Sequence, residues 1–334
     1  MGILTMSVLS LTGCSQPALS RYTASFVGKL DTVVQLTAYA PSEEVFAAAC
    51  RRAEETLDQM DRLFDRYDPD SLVSHLNQTA GQEGVEPPVV FTRLLRLTLD
   101  RQRRSSGVNI AMGGVLSLWK TARETGILPT DASIAQALTH SDPSVLRIEN
   151  GRVSLTDAQT SLDLGAVAKG FAADEVAAVL RDSGLSCFLL NCGSSTIVSS
   201  GTPPGAAGWR IAVKNPEAVL PLTDQTDPPP YLGTLLLADR SLGVSGDYQQ
   251  YFCQDGTYYS HILCPETGQP VRYYRQVCVL APSGLDADYY STALFALPYE
   301  ESRAAAEEAG LEALWIYPDG TLLSTDGFPP LSPT

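Results

Sequence analysis

Val45, Phe46, Ala49, Ala53, Leu57, Met60, Leu63 and Phe64 recur at steps of three and four residues, so a long helix here carries an apolar face. Such a stripe needs another element to cover it, which commits the chain to a packed core. Residues 32–39 just before it read as a strand, and Tyr67-Asp68-Pro69-Asp70-Ser71 just after it as a turn. A second helix is expected over residues 91–103. Residues 145–156 have the pattern of a hairpin about Asn150-Gly151, the pair that type I′ turns favour. A helix follows over residues 170–182, closed by Gly184. Strands are expected at 187–190, 209–213, 235–238, 258–263, 277–281 and 314–317, with closing helices near 288–297 and 300–310. The Pro/Gly-rich stretches 203–208 and 224–230 are loops within a domain, because strand patterns resume on both sides. The pattern gives the fold class α+β, as one mixed domain.

The 334 residues suffice for a sizeable core, and the 26 Gly and 22 Pro are spread along the chain, which argues against an extended disordered tract. Lys and Arg total 23 against 38 Asp and Glu, a net charge of -15, and form no long basic run. Nucleic acid is thereby excluded as an expected partner. An acidic chain that binds an anionic ligand must offset its own field locally, with backbone N–H groups, a Lys or a metal ion. Only three His occur, at 75, 140 and 261, so a metal here is expected to be a hard cation held by oxygen, magnesium or calcium. Neither a GxSxG elbow nor a phosphate-binding P-loop is present.

Residues 3–11 form a short apolar stretch that ends in Leu11-Thr12-Gly13-Cys14, the pattern of a bacterial lipoprotein signal with Cys14 as the lipidated residue. It is too short to span a bilayer. The expected organisation is a signal over 1–13, a lipidated tether over 14–24 and one domain over 25–334, anchored to the extracytoplasmic face of the cell membrane. Six further Cys, at 50, 187, 192, 253, 264 and 278, show no CxxC or Cys/His metal spacing; several lie in apolar strand-like runs and read as small buried hydrophobes rather than a disulfide framework.

Four polar, Gly-punctuated segments stand out. Asp163-Leu164-Gly165-Ala166-Val167-Ala168-Lys169-Gly170 leads into a helix whose N-terminus favours phosphate, with Lys169 free to pair with that phosphate or with Asp163; a plain strand-to-helix turn has the same appearance. Ser245-Gly246-Asp247-Tyr248 is the second. The third, residues 260–270, places His261 in a strand, facing core or ligand. In the fourth, residues 286–292, Asp288 and Thr292 share a helical face, as two oxygen ligands of Mg²⁺ or as an N-cap Asp beside an ordinary Thr.

Taken in order, LDTVVQLTAY (30–39), FDRYDPDSLVSHLNQ (64–78), DLGAVAKGFAAD (163–174), SGDY (245–248), HILCPETGQP (261–270) and ADYYSTALF (287–295) resemble the ApbE family of FAD:protein FMN transferases. The resemblance implies an ApbE-like, T-fold-related domain with antiparallel-rich sheets and flanking helices. It also implies FAD as the donor, Mg²⁺ as the metal, and transfer of FMN to a threonine of an exported redox protein with release of AMP. By the same resemblance Tyr67 stacks on the isoalloxazine, and Leu30 occupies the place of a flavin-contacting Met. Gly107, Val108 and Asn109 match a flavin-contacting stretch, and Asp163, Lys169 and Ile262 fall on further FAD-contacting positions. The Ala166 carbonyl with Asp288 and Thr292 would hold the metal, Ser291 being close by, and His261 would act as general base.

Several positions depart from the family pattern. Val108-Asn109-Ile110-Ala111 stands for Phe-Asp-x-Thr, Gly193-Ser194-Ser195 for Gly-Gly-Asp, Val244 for a Thr and Cys264 for an Asp. Two further readings follow: an FAD-binding lipoprotein with weakened or lost transfer, and an FAD pyrophosphatase.

Overall fold

The computed structural model describes residues 19–221 and 227–333. The apolar stripe becomes α1 (Glu43–Phe64), capped by the Ser42 hydroxyl, which accepts from the Val45 N–H. Its buried face meets α6 (Ala168–Asp182) and one edge of the central sheet.

Among the described residues that sheet has eight antiparallel strands. In spatial order they are β1 (Ser20–Lys29), β2 (Thr32–Ala40), β5 (Cys187–Cys192), β6 (Thr196–Ser200), β9 (Ser241–Gly246), β12 (Gln276–Ala281), β13 (Glu312–Ile316) and β14 (Leu322–Ser324). Three small hairpins accompany it: β3 (Leu146–Glu149) with β4 (Arg152–Leu155), β7 (Trp209–Lys214) with β8 (Tyr231–Leu237), and β10 (Tyr251–Gln254) with β11 (Thr257–Ser260). The other helices are α2 (Leu72–Gln78), α3 (Val89–Arg104), α4 (Gly113–Thr125), α5 (Asp131–Leu138), the short α7 (Pro216–Val219), α8 (Gly284–Phe295) and α9 (Tyr299–Glu308).

Both faces of the sheet are covered, and β12 shows how. Val277, Val279 and Ala281 pack toward α8 and the helical layer, while Cys278 and Leu280 pack toward the β7–β8 hairpin, with Trp209, Ile211 and Leu237. Every residue of β12 is buried, which accounts for the unbroken apolar run from Val277 to Ala281. Each such Val or Leu contributes about 1.5–3 kcal/mol when fully buried.

The helices α6 and α8 cap one another. Asp174 on α6 accepts from the Gly284 and Leu285 N–H groups at 2.7 and 2.9 Å, while Asp288 on α8 accepts from the Gly170 N–H at 2.8 Å. Carboxylates at helix N-termini satisfy donors that the helix itself leaves free. This crossing is close: a Cβ on Gly170 would lie 2.2 Å from the Gly284 carbonyl oxygen.

The expected hairpin about Asn150-Gly151 is present, both residues having positive φ. Gly184, with φ of 86°, follows the end of α6 as expected. Two expectations change. The tether placed as far as residue 24 ends sooner, because β1 begins at Ser20 and its Tyr22, Ala24 and Phe26 alternate inward, Tyr22 stacking on Phe46 at 5.2 Å between ring centroids. His261 lies just past β11 rather than in it. The signal segment and Cys14 lie outside the described residues. The six other Cys are free thiols; Cys187, Cys192 and Cys278 are buried as expected, whereas Cys253 is exposed. No helix among the described residues is long and apolar enough to cross a membrane.

Candidate functional site

A cavity of about 670 Å³ opens where the start of α6, the side of α8, the β1–β2 turn, α4 and the β10–β11 hairpin converge. Its wall includes Leu30, Tyr67, Gly107, Val108, Asn109, Asp163, Ala166, Lys169, His261, Ile262, Asp288 and Thr292, every expected site residue except Ser291. Ser291 is buried behind the wall, its hydroxyl donating to the Asp288 carbonyl at 3.0 Å and lying 3.0 Å from Ser245 Oγ.

One end is built for a planar ring. Tyr67 remains 55% exposed, with Arg66 Cζ and Lys120 Nζ each 5.4 Å from its ring centroid. Across the cavity Trp119, Phe252 and Tyr259 form an aromatic wall, Phe252 and Tyr259 stacking at 5.0 Å. Leu30 reaches the cavity from a tight hairpin turn in which both Leu30 and Asp31 have positive φ, 54° and 55°. The left-handed region costs an ordinary residue about 1–2 kcal/mol, and here Asp61 holds the turn by accepting the Leu30 N–H at 2.8 Å.

The other end collects oxygens around one buried carboxylate. Asp288 accepts from Gly170 N–H and, at 3.0 Å, from Thr196 Oγ1. Burial pushes its carboxyl above the usual carboxylate range, opposed chiefly by the Lys169 charge. Thr292 Oγ1 lies 3.1 Å from Ser245 Oγ. No three His, Cys, Asp or Glu side chains gather as a metal cluster among the described residues. A single carboxylate with hydroxyl and carbonyl oxygens suits a hard cation that keeps several waters and shares a phosphate ligand. The start of α6 is less open than expected for phosphate, since Asp288 already takes the Gly170 N–H. Lys169, by contrast, is available: Asp163 pairs with Arg66 at 2.8 Å, and among the described residues no carboxylate forms an ion pair with Lys169.

His261 Nδ1 lies 2.9 Å from the Gln250 carbonyl, which requires the proton on Nδ1 and leaves Nε2 as the lone-pair nitrogen. Burial lowers its pKa to about 4, with Lys169 and Arg123 adding to the effect and the Gln250 bond and Asp163 opposing it. The imidazole is therefore neutral at physiological pH. Charge in the wall is balanced, with Arg66, Lys120, Arg123, Lys169 and Lys214 against Asp31, Asp61, Asp65, Asp163 and Asp288. In a chain of 23 cations and 38 acids this parity removes the general repulsion of an anion.

The departures from the family pattern are absorbed by the wall. Asn109 donates to the Ser141 carbonyl at 2.7 Å and accepts from the Ala111 N–H at 2.9 Å, a pairing that an Asp could make only in part. Ala111 is core, Ser195 Oγ donates to the Cys192 carbonyl, and Val244 lines the cavity. Residues the sequence reading missed include Arg66, which ties Asp163 to the Gly113 carbonyl and Ser117 of α4, and Thr196 behind Asp288.

The ApbE family model matches residues 30–315. A Treponema pallidum FAD:protein FMN transferase is 29% identical over 98% of this chain and 93% of its own length, and a Vibrio cholerae protein of the same name is 29% identical over 96% and 93%. The solved flavin transferase ApbE from Vibrio cholerae superposes with a TM-score of 0.80 at 24% identity, covering 94% of this chain and 99% of that one. With the match spanning 30–315, both ends of the cavity included, the chain belongs to the ApbE family.

Proposed function

We propose that the protein transfers FMN from FAD to a threonine hydroxyl of an exported redox protein, with Mg²⁺, releasing AMP. The observation that carries this reading is that one cavity is lined by an exposed Tyr ring, a Lys in no ion pair, a neutral His and a buried Asp. The relatives bear the name of that activity over nearly their whole length.

The chain's own groups supply the orientation and the proton acceptor of an in-line displacement. Tyr67 and the aromatic wall orient the flavin, and Lys169 meets the pyrophosphate. The acceptor oxygen forms a bond to the FMN phosphorus as the bond from that phosphorus to the AMP phosphate oxygen breaks, and His261 Nε2 takes the hydroxyl proton. Asp288, Thr292 and the Ala166 carbonyl would hold Mg²⁺, which supplies charge neutralisation at the phosphates.

His261→Gln should lower kcat by roughly 10²–10⁴-fold while FAD binding changes little, checked by AMP release and by flavin fluorescence. The base works deprotonated, so kcat/KM should keep its value as pH falls through 6.5 and decline only near pH 4. Because the folded value lies below the ordinary 6.5, stability attached to neutral His261 is lost as pH falls from about 6.5 toward 4. An acid limb near 6.5 in kcat/KM, at constant FAD affinity, would contradict the depressed pKa of His261, and full activity of His261→Gln would remove it as the base.

The expected placement is a lipid anchor on Cys14 at the extracytoplasmic face of a bacterial membrane, supported by the Leu11-Thr12-Gly13-Cys14 pattern. Cys14→Ser should move the protein from the membrane fraction to the soluble fraction and abolish labelling by a fatty acid; unchanged membrane association would remove the anchor.

A further inference from the structure

Arg275 is 2% exposed and does not line the cavity. A guanidinium removed from water is costly unless its donors are met, and here all three nitrogens are. Nε donates to Asp247 Oδ2 at 2.8 Å, Nη1 to Glu217 Oε1, and Nη2 to the Leu220 carbonyl at 2.7 Å. The partners belong to two segments far apart in sequence. Glu217 and Leu220 lie in and just after α7, on the connection from β7 to β8; Asp247 lies in the turn that follows β9.

Both segments carry cavity wall. Val219 comes from the connection, with Lys214 at the end of β7 that leads into it, and Tyr248, Gln249 and Gln250 come from the turn. The Gln250 carbonyl then accepts from both the backbone N–H of His261, at 3.1 Å, and its ring Nδ1. Backbone bonds strengthen the same path, since the Asp247 N–H donates to the Arg275 carbonyl at 3.1 Å.

We infer that Arg275 is a positioning residue: its fork clamps the Glu217 connection to the Asp247 turn and thereby sets one side of the cavity and the placement of His261. The two arms have separable effects. The Glu217 arm holds wall that a bound nucleotide touches, so loosening it weakens binding. The Asp247 arm holds the turn on which the base is hung, so loosening it slows the chemistry; misplacement by about 1 Å can cost as much as 10²-fold. Lys cannot replace the fork, because one ammonium is a point charge without the planar spread that meets three acceptors on two segments. This inference rests on the transferase reading.

Four variants test it: Glu217→Ala, Asp247→Asn, Arg275→Met and Arg275→Lys. Thermal melting identifies the variants that fold, Glu217→Ala being the mildest. FAD affinity is read from flavin fluorescence without metal, and turnover from AMP release. Glu217→Ala should raise Kd and KM for FAD about tenfold with kcat within about twofold, and Asp247→Asn should lower kcat about tenfold with a smaller change in Kd. Both Arg275 variants should combine the two effects. If the folded variants, Glu217→Ala foremost, keep Kd, KM and kcat within about twofold of wild type, Arg275 is structural only and the inference fails. A wild type that binds FAD without turnover removes the transferase reading and leaves the clamp to be judged on Kd. One that binds no FAD overturns both.

Discussion

Asp288→Asn should leave a folded protein that binds FAD and transfers FMN at least roughly 10³-fold more slowly, the loss expected when several kcal/mol of charge stabilisation at the phosphates is removed. The side chain is 4% exposed and is the carboxylate beside Thr292, Ala166 and Lys169 at this end of the cavity. Asn preserves its shape. Its amide oxygen accepts from Gly170 N–H or Thr196 Oγ1, and its NH₂ replaces the second acceptor with a donor. The charge is lost, and with it the anionic ligand proposed for a hard cation. AMP release measured over a Mg²⁺ titration checks this; turnover within about tenfold of wild type at saturating Mg²⁺ would remove Asp288 from the metal's ligands.

Gly170→Ala should be severely damaging to stability for so small a substitution, at about 3 kcal/mol or more. An added Cβ would sit 2.2 Å from the Gly284 carbonyl oxygen and 2.5 Å from Asp288 Cβ, both fixed parts of α8. The crossing of α6 and α8 must widen, which also pulls the Gly170 N–H off Asp288, so activity should fall with the denaturation midpoint. Gly114→Ala supplies the contrast. That residue is the second of α4, with nothing within 4 Å of the added carbon, so replacing the glycine should stabilise, by at most the roughly 0.5–1 kcal/mol of a helix-interior site. Equal changes in the two midpoints would mean that the close helix crossing is not what holds this end of the cavity.

Elements whose signal is local were legible in the sequence. The stripe of α1, the Asn150-Gly151 turn and the Gly184 stop each depend on residues within a few positions, and each stands as expected. β1 was passed over because Ser20, Arg21, Thr23 and Ser25 make it look polar, although Tyr22, Ala24 and Phe26 already alternate. In α4 the paired Gly113 and Gly114 obscured the Val115, Trp119 and Ala122 spacing that buries it, and with it the source of Trp119, Lys120 and Arg123. The central strand β9 carries Gly243 where α8 lies directly on it. A Cβ on Gly243 would come 1.9 Å from the Ala287 carbonyl oxygen, a requirement visible only once α8 is in place.

The candidate site was legible as a set of ordered segments, and the cavity brings all but one of the expected residues to a common wall. What the sequence could not supply was the network behind it. Arg66 meets Asp163 across 97 residues and Arg275 meets Glu217 across 58, so no local spacing announces either pair. Nor did spacing decide whether Asp288 was a helix cap or a metal ligand. The N-cap of its own helix is Ser283; Asp288 instead accepts the Gly170 N–H of α6 and lines the cavity.

The most direct test of the account incubates the soluble domain with FAD and Mg²⁺, with and without an exported acceptor bearing the target threonine, and follows AMP together with the mass of the acceptor. The account predicts AMP release that depends on the acceptor, one AMP for each FMN found covalently on threonine. AMP released equally fast without acceptor would make the protein a pyrophosphatase, and tight FAD binding with neither AMP nor adduct would contradict transfer altogether.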